Sequence, residues 1–283
     1  MKNVVFLIQC EDRKGLVCEI TSFFFNKGFN IVNCQQHTDS ANSRYFMRLK
    51  LDLAGMKTTR EQLEKEFADF ARKNSLEWSA HYSDITRRIA ILATKESHCL
   101  YDIILRWKEG EFPCEIPLII SNHPDLEYVA TQFRLPFYCV PVVNEDKESQ
   151  EEKVLELLSK NHIDLLVLAK YMRILSKNFV QKYSSRIINI HHAFLPAFQG
   201  ANPYRKAYER GVKMIGATAH YVTADLDEGP IIEQDVERVN HENDPEELKQ
   251  IGKDIERIVL ARALKAQLEN RIIVFQGRTV VFS

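Results

Sequence analysis

Three polar side chains in the second half of the chain have the types and spacing needed for chemistry at an acyl carbon. Asn189 and His191 lie two residues apart in the β-rich run 186–191, so both side chains project from one face of the predicted strand. Asp227 follows a later predicted strand, in a loop closed by a Gly-Pro pair. A carboxamide can donate to a developing oxyanion, an imidazole can move a proton or stabilise that oxygen, and a carboxylate can orient water and carry protons. Together they suit transfer or hydrolysis of an acyl group.

Each of these residues also has a purely structural alternative. An Asn beside a His at a strand end is typical of a loop hydrogen-bond network, and an Asp before Glu-Gly-Pro is typical of a turn.

Two other classes of protein also stay open. One is a non-catalytic amino-acid sensor that retains only the fold. The other is a metallohydrolase, which no HExxH-like spacing supports but for which four candidate ligands exist: His191, His192, His220 and Asp227.

The elements that must position these residues are short apolar strands separated by helices. The pattern predicts strands over 88–93, 116–121, 138–142, 165–169, 186–191, 214–222 and 231–232. It predicts helices over 98–108, 125–133, 148–161 and 254–268, followed by a strand pair within 271–282. Continuously apolar strands between helices are typical of a parallel sheet covered on both faces. We therefore expect an α/β, doubly wound, mostly parallel domain whose site lies at the carboxyl ends of its strands.

The first part of the chain has a different order of elements. Strands are predicted over 4–9, 29–38, 44–53 and 76–82, with amphipathic helices over 17–26 and 59–73. In the third strand, alternate residues from Met47 to Leu53 are apolar and the residues between them are polar. The order βαββαβ is that of a ferredoxin-like domain. The predicted organisation is thus a first domain over 1–83, a linker over 84–88 and a catalytic domain over 89–283.

Length and composition limit the classes of function. The 283 residues suffice for two domains, and the hydrophobic share of 45% suffices for real cores. Lys plus Arg number 38 and Asp plus Glu 39, a net charge of −1, which predicts no general attraction for nucleic acid or an anionic membrane. No signal peptide or apolar run of about 18 residues is present, so a cytoplasmic location is expected. The absence of CxxC spacing predicts buried thiols rather than disulfides or zinc at Cys10, Cys18, Cys34, Cys99, Cys114 and Cys139.

The turn after the first strand resembles a known signature. Asp12-Arg-Lys-Gly15-Leu16-Val17 is similar to the DxxGLV motif of ACT domains, and the resemblance covers residues 1–83. It implies a small effector, commonly an amino acid, at Asp12, Gly15 and Leu16, often between two paired domains. A glycine lets backbone amides approach a ligand, and a helix N-terminus favours a carboxylate. The alternative is that Gly15 only permits the turn and Asp12 caps the helix.

Three motifs in the second half, in order, resemble the formyltransferase/hydrolase family of folate enzymes over residues 86–283. They are Asn189-Ile-His191-His-Ala-Phe-Leu-Pro196, Gly216-x-Thr218-x-His220-x-Val222 and Asp225-Leu-Asp227-x-Gly229-Pro230. The family has Asn-x-His before a Leu-Pro and an Asp seven residues after the second His, and this chain matches each place. It departs from the family at His192 and Ala193, where Pro-Ser is common. Because Ala193 is small, we expect the backbone to keep its course there.

The resemblance implies a role for each matched residue. Asn189 would hold the formyl oxygen, His191 would stabilise the tetrahedral intermediate, and Asp227 would transfer protons. His220 would support these groups without taking part in the chemistry. The segment after the strand 165–169 resembles the family's pterin-binding loop, and the residues expected to contact the folate are Met172, Arg173, Ile174, Leu175 and Leu226. The alternative for this segment is an ordinary strand exit with a buried Met and Leu.

Members of this family carry out three reactions: formylation of glycinamide ribonucleotide, formylation of initiator methionyl-tRNA, and removal of the formyl group from the folate. A phosphate-bearing acceptor needs a glycine-rich turn at a helix N-terminus. The corresponding segment 94–99 has no glycine and carries Glu96, although Lys95 could attract a phosphate. A tRNA acceptor would require a basic C-terminal domain, and the chain ends soon after the helix 254–268.

An ACT module joined to this second half resembles the layout of the family's hydrolases. The resemblance implies hydrolysis of 10-formyltetrahydrofolate to formate and tetrahydrofolate, which supplies formate for purine biosynthesis. The alternative within the family is transfer of the formyl group to a small amine acceptor such as glycinamide ribonucleotide. No metal or cofactor is expected. The expected partners are the folate, an amino-acid effector and further copies of the chain in a homodimer or homotetramer, with no nucleic acid or membrane.

Overall fold

The computed structural model describes residues 2–54, 56, 58–143, 146–196 and 203–283. The chain divides into two compact units. The first comprises Met1–Thr86, Glu269–Phe275 and Val280–Ser283, and the second comprises Arg87–Leu268 and Gln276–Thr279. The division after Thr86 lies inside the segment expected to be the linker.

The C-terminal residues depart from the expected organisation, which assigned 89–283 to one domain. Most of the chain after the last helix belongs to the first unit instead. The reason lies on the strand face predicted to be polar, where buried Phe46 packs with Ile273 and Phe282. On the same face Arg48 is only 8% exposed and donates to two backbone carbonyls of the C-terminal segment at 2.9 and 3.1 Å. Burial of both faces of this strand was not evident from its alternating pattern.

The first unit has the predicted βαββαβ order, which confirms the ferredoxin-like arrangement. Its elements are β1 (Asn3–Glu11), α1 (Leu16–Asn26), β2 (Asn30–Asp39), β3 (Arg44–Asp52), α2 (Arg60–Lys73) and β4 (Glu77–Tyr82). The antiparallel sheet has the order β2-β3-β1-β4. In the core, the ring of Phe6 lies 4.8 Å from that of Phe24 and 4.9 Å from that of Phe67. The Thr59 hydroxyl caps α2 by accepting from the Gln62 amide at 3.2 Å.

The second unit alternates strands and helices as predicted. Its elements are β5 (Arg87–Ala93), α3 (His98–Lys108), β6 (Cys114–Ser121), α4 (Glu127–Phe133), β7 (Phe137–Cys139), α5 (Lys147–Lys160), β8 (Leu165–Leu168), α6 (Lys177–Lys182), β9 (Ile187–His191), α7 (Pro203–Arg210), β10 (Met214–Tyr221), β11 (Ile231–Arg238) and α8 (Pro245–Leu268). A single 3₁₀ turn, Pro124–Leu126, precedes α4. Near the C-terminus, β12 (Ile272–Phe275) and β13 (Arg278–Val281) form the expected strand pair.

Seven strands form the sheet of the second unit, in the order β11-β10-β9-β8-β5-β6-β7. The pairs from β9 to β7 are parallel, whereas β10 pairs antiparallel with both β9 and β11. This mostly parallel sheet confirms the α/β class, and β8 is buried along its whole length because both faces are covered. The chain order reverses between β8 and β5. Ligands bind past the carboxyl ends of such strands.

Several elements of the second unit were not predicted. The helices α6 and α7 were missed, β11 continues to Arg238 rather than ending at 232, and α8 begins nine residues before 254. The added start of α8 has few apolar positions, and its buried residues there are Leu248 and Gly252. It begins instead on a side-chain cap, since the Asp244 carboxylate accepts from the amides of Glu246 and Glu247 at 2.9 Å. Among the described residues, no helix is long and apolar enough to cross a bilayer.

All six cysteines are free thiols, but the expectation that all are buried is wrong for half of them. The buried ones are Cys10, Cys99 and Cys114, and the exposed ones are Cys18, Cys34 and Cys139. Cys18 lies on the outer part of an amphipathic helix and Cys34 on β2, an edge strand whose residues are mostly exposed. The tendency of free cysteines to be buried therefore did not predict the exposure of these three side chains.

Candidate active site

A cavity of about 1300 Å³ lies in the second unit at the carboxyl ends of its central strands. Residues from the ends of β8 and β9 form part of its wall, as the reversal of strand order predicts. Every residue predicted to be catalytic, supporting or folate-binding lines it: Asn189, His191, Asp227, His220, Met172, Arg173, Ile174, Leu175 and Leu226. The structure thus brings together side chains that are up to 55 positions apart in sequence (227 minus 172).

The pairing of two strands fixes the orientation of Asn189. This residue on β9 lies opposite His220 on β10, and its Nδ2 is 3.2 Å from the His220 Nε2. The His220 Nδ1 lies 2.9 Å from the Tyr221 carbonyl oxygen, which can only accept, so Nδ1 carries the proton. Burial lowers the pKa of His220, although the Tyr221 carbonyl opposes this shift. The ring is therefore neutral, its Nε2 accepts from Asn189, and the second N–H of the amide remains for a ligand oxygen.

Asp227 stands between two imidazoles. Its Oδ1 lies 3.3 Å from the His191 Nδ1 and 3.7 Å from the His220 Nε2, and its side chain is 17% exposed. The hydrogen bond from His191 lowers the pKa of Asp227, burial opposes this, and the charges of the neighbouring histidines add to the lowering. The Asp227 side chain is consequently a carboxylate at neutral pH. His191 is 7% exposed, and its Nε2 is buried with no hydrogen-bond partner among the described residues. Such a buried polar atom beside a cavity is available to a ligand.

A tight loop brings Asp227 to this position. Its backbone is in the left-handed region, with φ of 58°. Two residues later the chain runs against β10: a Cβ at Gly229 would lie 1.6 Å from the Tyr221 carbonyl oxygen and 3.3 Å from the His220 Nδ1. Only glycine permits this approach. The Gly-Pro pair therefore sets the place of the carboxylate through backbone packing.

The segment after His191 is held by a buried hydroxyl. Thr218 Oγ1 donates to the Ala193 carbonyl at 2.8 Å and accepts from the Leu195 amide at 3.0 Å. Because both contacts are to backbone atoms, the absence of a hydroxyl at Ala193 leaves this anchoring intact. The peptide bond before Pro196 is cis.

The predicted folate-binding loop follows β8 and exposes large apolar side chains. Met172 is 59% exposed, Ile174 is 62% exposed and Leu226, on the facing loop, is 60% exposed. The alternative of a strand exit with a buried Met and Leu is therefore wrong for Met172, whereas Leu175 is partly buried against the core of the second unit. Thr94, at the end of β5, anchors the loop because its hydroxyl accepts from the Met172 amide at 2.9 Å and donates to Asn122 Oδ1 at 2.8 Å. Exposed apolar groups around a cavity are typical of a binding site for a ring system.

A buried ionic cluster in the same cavity was not predicted. The Glu256 side chain is 1% exposed; its Oε1 accepts from Lys170 Nζ at 3.1 Å and Tyr204 OH at 2.9 Å, and its Oε2 lies 2.6 Å from His98 Nε2. Burial raises the pKa of Glu256, but the hydrogen bond from His98 and the charge of Lys170 lower it to about 2. Lys170 also lies 3.4 Å from the His192 Nδ1, and the His192 ring stacks on His191 at 4.9 Å. The members come from α3, the loop after β8, α7 and α8, so no sequence spacing links them.

One group of described residues has the spacing of a metal site: His98, Cys99 and Glu256. The four ligands considered from the sequence are not among such groups. In the group that is found, the Glu256 carboxylate already accepts from a lysine and a tyrosine. Burial holds the pKa of Cys99 well above its usual value, so the sulfur is a thiol and not the thiolate that binds metals. The donor set fits an ion-pair cluster better than a metal centre.

In the first unit, the predicted effector turn leads into α1. Gly15 is the residue before the helix, with φ of 92°, and no side chain caps it, so the alternative of a cap by Asp12 is wrong. Asp12 is exposed, whereas the Leu16 side chain is 2% exposed and belongs to the core. Arg13 donates twice to the Glu19 carboxylate, at 2.8 and 2.6 Å. The positive φ of Gly15 agrees with the expectation that the backbone at this turn can approach a ligand closely. Because the Leu16 side chain is buried, this residue could contact a ligand only through its backbone.

Comparison with known proteins assigns the two units to two different families of domain. A family model described as formyl transferase matches residues 87–264, and one described as ACT domain matches residues 4–68. A protein of Synechocystis sp. named formyltetrahydrofolate deformylase is 49% identical over 285 residues, covering 100% of both chains. A crystal structure of a formyltetrahydrofolate deformylase from Pseudomonas syringae is 40% identical with a TM-score of 0.97, covering 100% of this chain and 95% of that one. A glycinamide ribonucleotide transformylase from Symbiobacterium toebii is 29% identical with a TM-score of 0.67, covering 72% of this chain and 97% of that one.

Proposed function

The chain belongs to the family of formyltetrahydrofolate deformylases, and we propose that it hydrolyses 10-formyltetrahydrofolate to formate and tetrahydrofolate with Asn189, His191 and Asp227. The observation that carries this assignment is their convergence. Asp227 Oδ1 lies 3.3 Å from His191, whose Nε2 has no partner among the described residues. Asn189 is oriented through a 3.2 Å contact with His220. All three line one cavity.

The chemistry follows from the charge state of each group. A water molecule attacks the formyl carbon while the Asp227 carboxylate takes its proton, and the carbonyl electrons move to the formyl oxygen. Asn189 Nδ2–H and His191 Nε2–H donate to that oxyanion. His191 must be doubly protonated to do so, and before the attack the Asp227 carboxylate stabilises that imidazolium. The intermediate then collapses: the C–N10 bond breaks, N10 takes the proton held by Asp227, and formic acid leaves and ionises to formate.

The folate has a matching surface beside these groups. The exposed side chains of Met172, Ile174 and Leu226 would be covered by a bound pterin ring, which favours binding by about 25 cal/mol for each Å² of apolar area buried. The hydrogen bond from the Met172 amide to the Thr94 hydroxyl holds the loop's backbone groups in position for hydrogen bonds to the ring. Arg173 and Leu175 complete the proposed contact set.

Hydrolysis is favoured over transfer to an amine. The relatives that match the whole chain are named deformylases, whereas the transformylase structures match about 70% of it. The segment after β5 has no glycine and contributes the acidic Glu96 to the cavity. The proposed consequence is a supply of formate for purine biosynthesis and recovery of tetrahydrofolate.

The first unit is an ACT domain by its family match, and its finer roles are part of the proposal. An amino-acid effector would contact the turn at Asp12, Gly15 and the backbone of Leu16. The positive φ of Gly15 supports close backbone approach there. Pairing of such domains between chains would give a homodimer or homotetramer.

The deciding experiment incubates the purified protein with 10-formyltetrahydrofolate, with and without glycinamide ribonucleotide. We expect formate and tetrahydrofolate in equal amounts without the acceptor, and no formylated product when it is added. Formylation of the acceptor without formate release would contradict hydrolysis. An Asp227→Asn sample prepared in the same way serves as the control for spontaneous deformylation.

A further inference from the structure

The carboxylate of Glu256 is surrounded in a way that resembles an anion-binding site. An ammonium group, a phenol and an imidazole converge on its two oxygens: Lys170 at 3.1 Å, Tyr204 at 2.9 Å and His98 at 2.6 Å. Glu256 is 1% and Lys170 7% exposed by side chain. These are the donors that proteins use for carboxylates and phosphates. In this chain, the anion that these donors bind is the carboxylate of its own Glu256.

The Glu256 carboxylate lies beside the N-terminus of α3, through its contact with His98. His98 is the first residue of α3, the helix that follows β5, and no side chain caps that helix. Helix N-termini after the first strand of an α/β domain attract phosphate groups. A second carboxylate, that of Glu96, lies 3.5 Å from the His98 Nδ1 and also lines the cavity. The chain therefore places two acids where an acceptor's phosphate would be held.

The cluster is also continuous with the proposed catalytic groups. Lys170 lies 3.4 Å from the Nδ1 of His192, and the His192 ring stacks on His191 with centroids 4.9 Å apart. A molecule held at the cluster would thus lie close to the formyl carbon bound near His191. This is the location required of an amine acceptor that carries an anionic group.

We propose that Glu256 is a specificity-determining residue that fills this cationic position and excludes anionic acceptors, so that water is the group that reacts. The inference rests on the proposed function, since it explains why the site hydrolyses. A buried like charge opposes a second anion, because neither is screened by water. Removal of the Glu256 charge would leave the Lys170 ammonium without a compensating anion, with His98 and Tyr204 beside it, and turn the cluster into a phosphate site.

The test measures phosphate binding directly, by equilibrium dialysis with radiolabelled inorganic phosphate at constant ionic strength. The proteins are the full-length unsubstituted chain, Glu256→Gln, Glu256→Ala and a matched control, Glu246→Gln. Glu246 is a carboxylate on the same helix that lines the same cavity but is exposed. We expect saturable phosphate binding in the Glu256 variants at least about tenfold tighter than in the unsubstituted chain or the control.

Two results would overturn the proposal. One is phosphate binding to the unsubstituted chain as tight as to the Glu256 variants, because the position would then be open to anions despite the Glu256 carboxylate. The other is a Glu256→Gln protein with an unchanged circular dichroism spectrum and no gain in phosphate affinity. The conservative Gln retains the size and an acceptor oxygen, so it is the variant expected to fold if Glu256→Ala does not. Failure of hydrolysis itself is read separately, from formate release by the unsubstituted chain.

Discussion

Replacement of Asp227 by Asn removes the charge of one side chain while keeping its size. In the native site this carboxylate is 17% exposed and lies within 3.3 and 3.7 Å of two imidazoles. An amide in its place cannot take a proton from water, and it stabilises the imidazolium form of His191 less. Loss of a positioned proton acceptor typically costs 10²–10⁴ in rate. We expect at least a 100-fold fall in kcat, about 2.7 kcal/mol in the barrier.

The assay is single-turnover release of formate from 10-formyltetrahydrofolate, with folate affinity measured in parallel. The matched control is Asp225→Asn, an equal change of charge two residues earlier in the same loop, at an exposed residue that also lines the cavity. The control should retain most of the native rate. A fall of less than about threefold in Asp227→Asn would refute the assigned role, which requires a loss on the scale of general-base catalysis. So would a fall explained entirely by weaker folate binding.

Asn189, Thr94 and Glu256 can each be tested by substitution. Asn189→Ala should lower kcat by about 10²-fold with little change in KM, because an oxyanion donor acts mainly in the transition state; a change confined to KM would contradict this. Thr94→Val should raise KM for the folate by about tenfold, since the Met172 amide loses its acceptor; Thr94→Ser should restore it, and equal effects of both would argue against the hydroxyl. The pKa of Glu256 is lowered from 4.5 to about 2 in the folded protein, so its contribution to stability, about 3 kcal/mol, is present above pH 4.5 and lost as pH falls toward 2. The thermal unfolding midpoint of the native protein should therefore fall more steeply over that window than that of Glu256→Gln, and parallel curves would contradict the shift.

The predicted trio was located through the family resemblance of three motifs that occur in order along the chain. Asn189 and His191 share a strand face, as the period of a strand predicts, and the structure adds that Asp227 follows the strand that pairs with theirs. The supporting role expected of His220 has a direct structural counterpart in its contact with Asn189. The exposed Met172 and Leu226 at the cavity agree with the expected folate loop.

The ionic cluster could not be found in this way. Glu256 meets Lys170 across 86 residues and His98 across 158, from elements with no shared period. The apolar residues of α8 predict which face of the helix is buried. A glutamate is usually a surface residue, so the sequence provides no reason to expect Glu256 to be buried among them. Only the three-dimensional arrangement shows that its charge is neutralised inside the cavity.

The packing of the C-terminal segment could not be predicted from the sequence either. Ile273 and Phe282 are apolar residues of a short strand pair, and their sequence pattern does not identify the surface on which they pack. The alternation in β3 predicted one polar face, yet Phe46 and Arg48 on that face are buried by this segment. Packing between parts of a chain more than 200 residues apart, such as Arg48 and the Asn270 carbonyl, 222 residues apart, leaves no local signal.

Isotopic labelling of the water tests the proposed hydrolysis by following the oxygen atom. A single turnover of the purified protein with 10-formyltetrahydrofolate in H₂¹⁸O should yield formate that carries one ¹⁸O, because water attacks the formyl carbon beside Asn189, His191 and Asp227. Mass spectrometry of the formate, corrected for a sample without protein, gives the label. Formate without ¹⁸O would mean that another nucleophile reacts first, and the proposed hydrolysis at these three residues would be wrong.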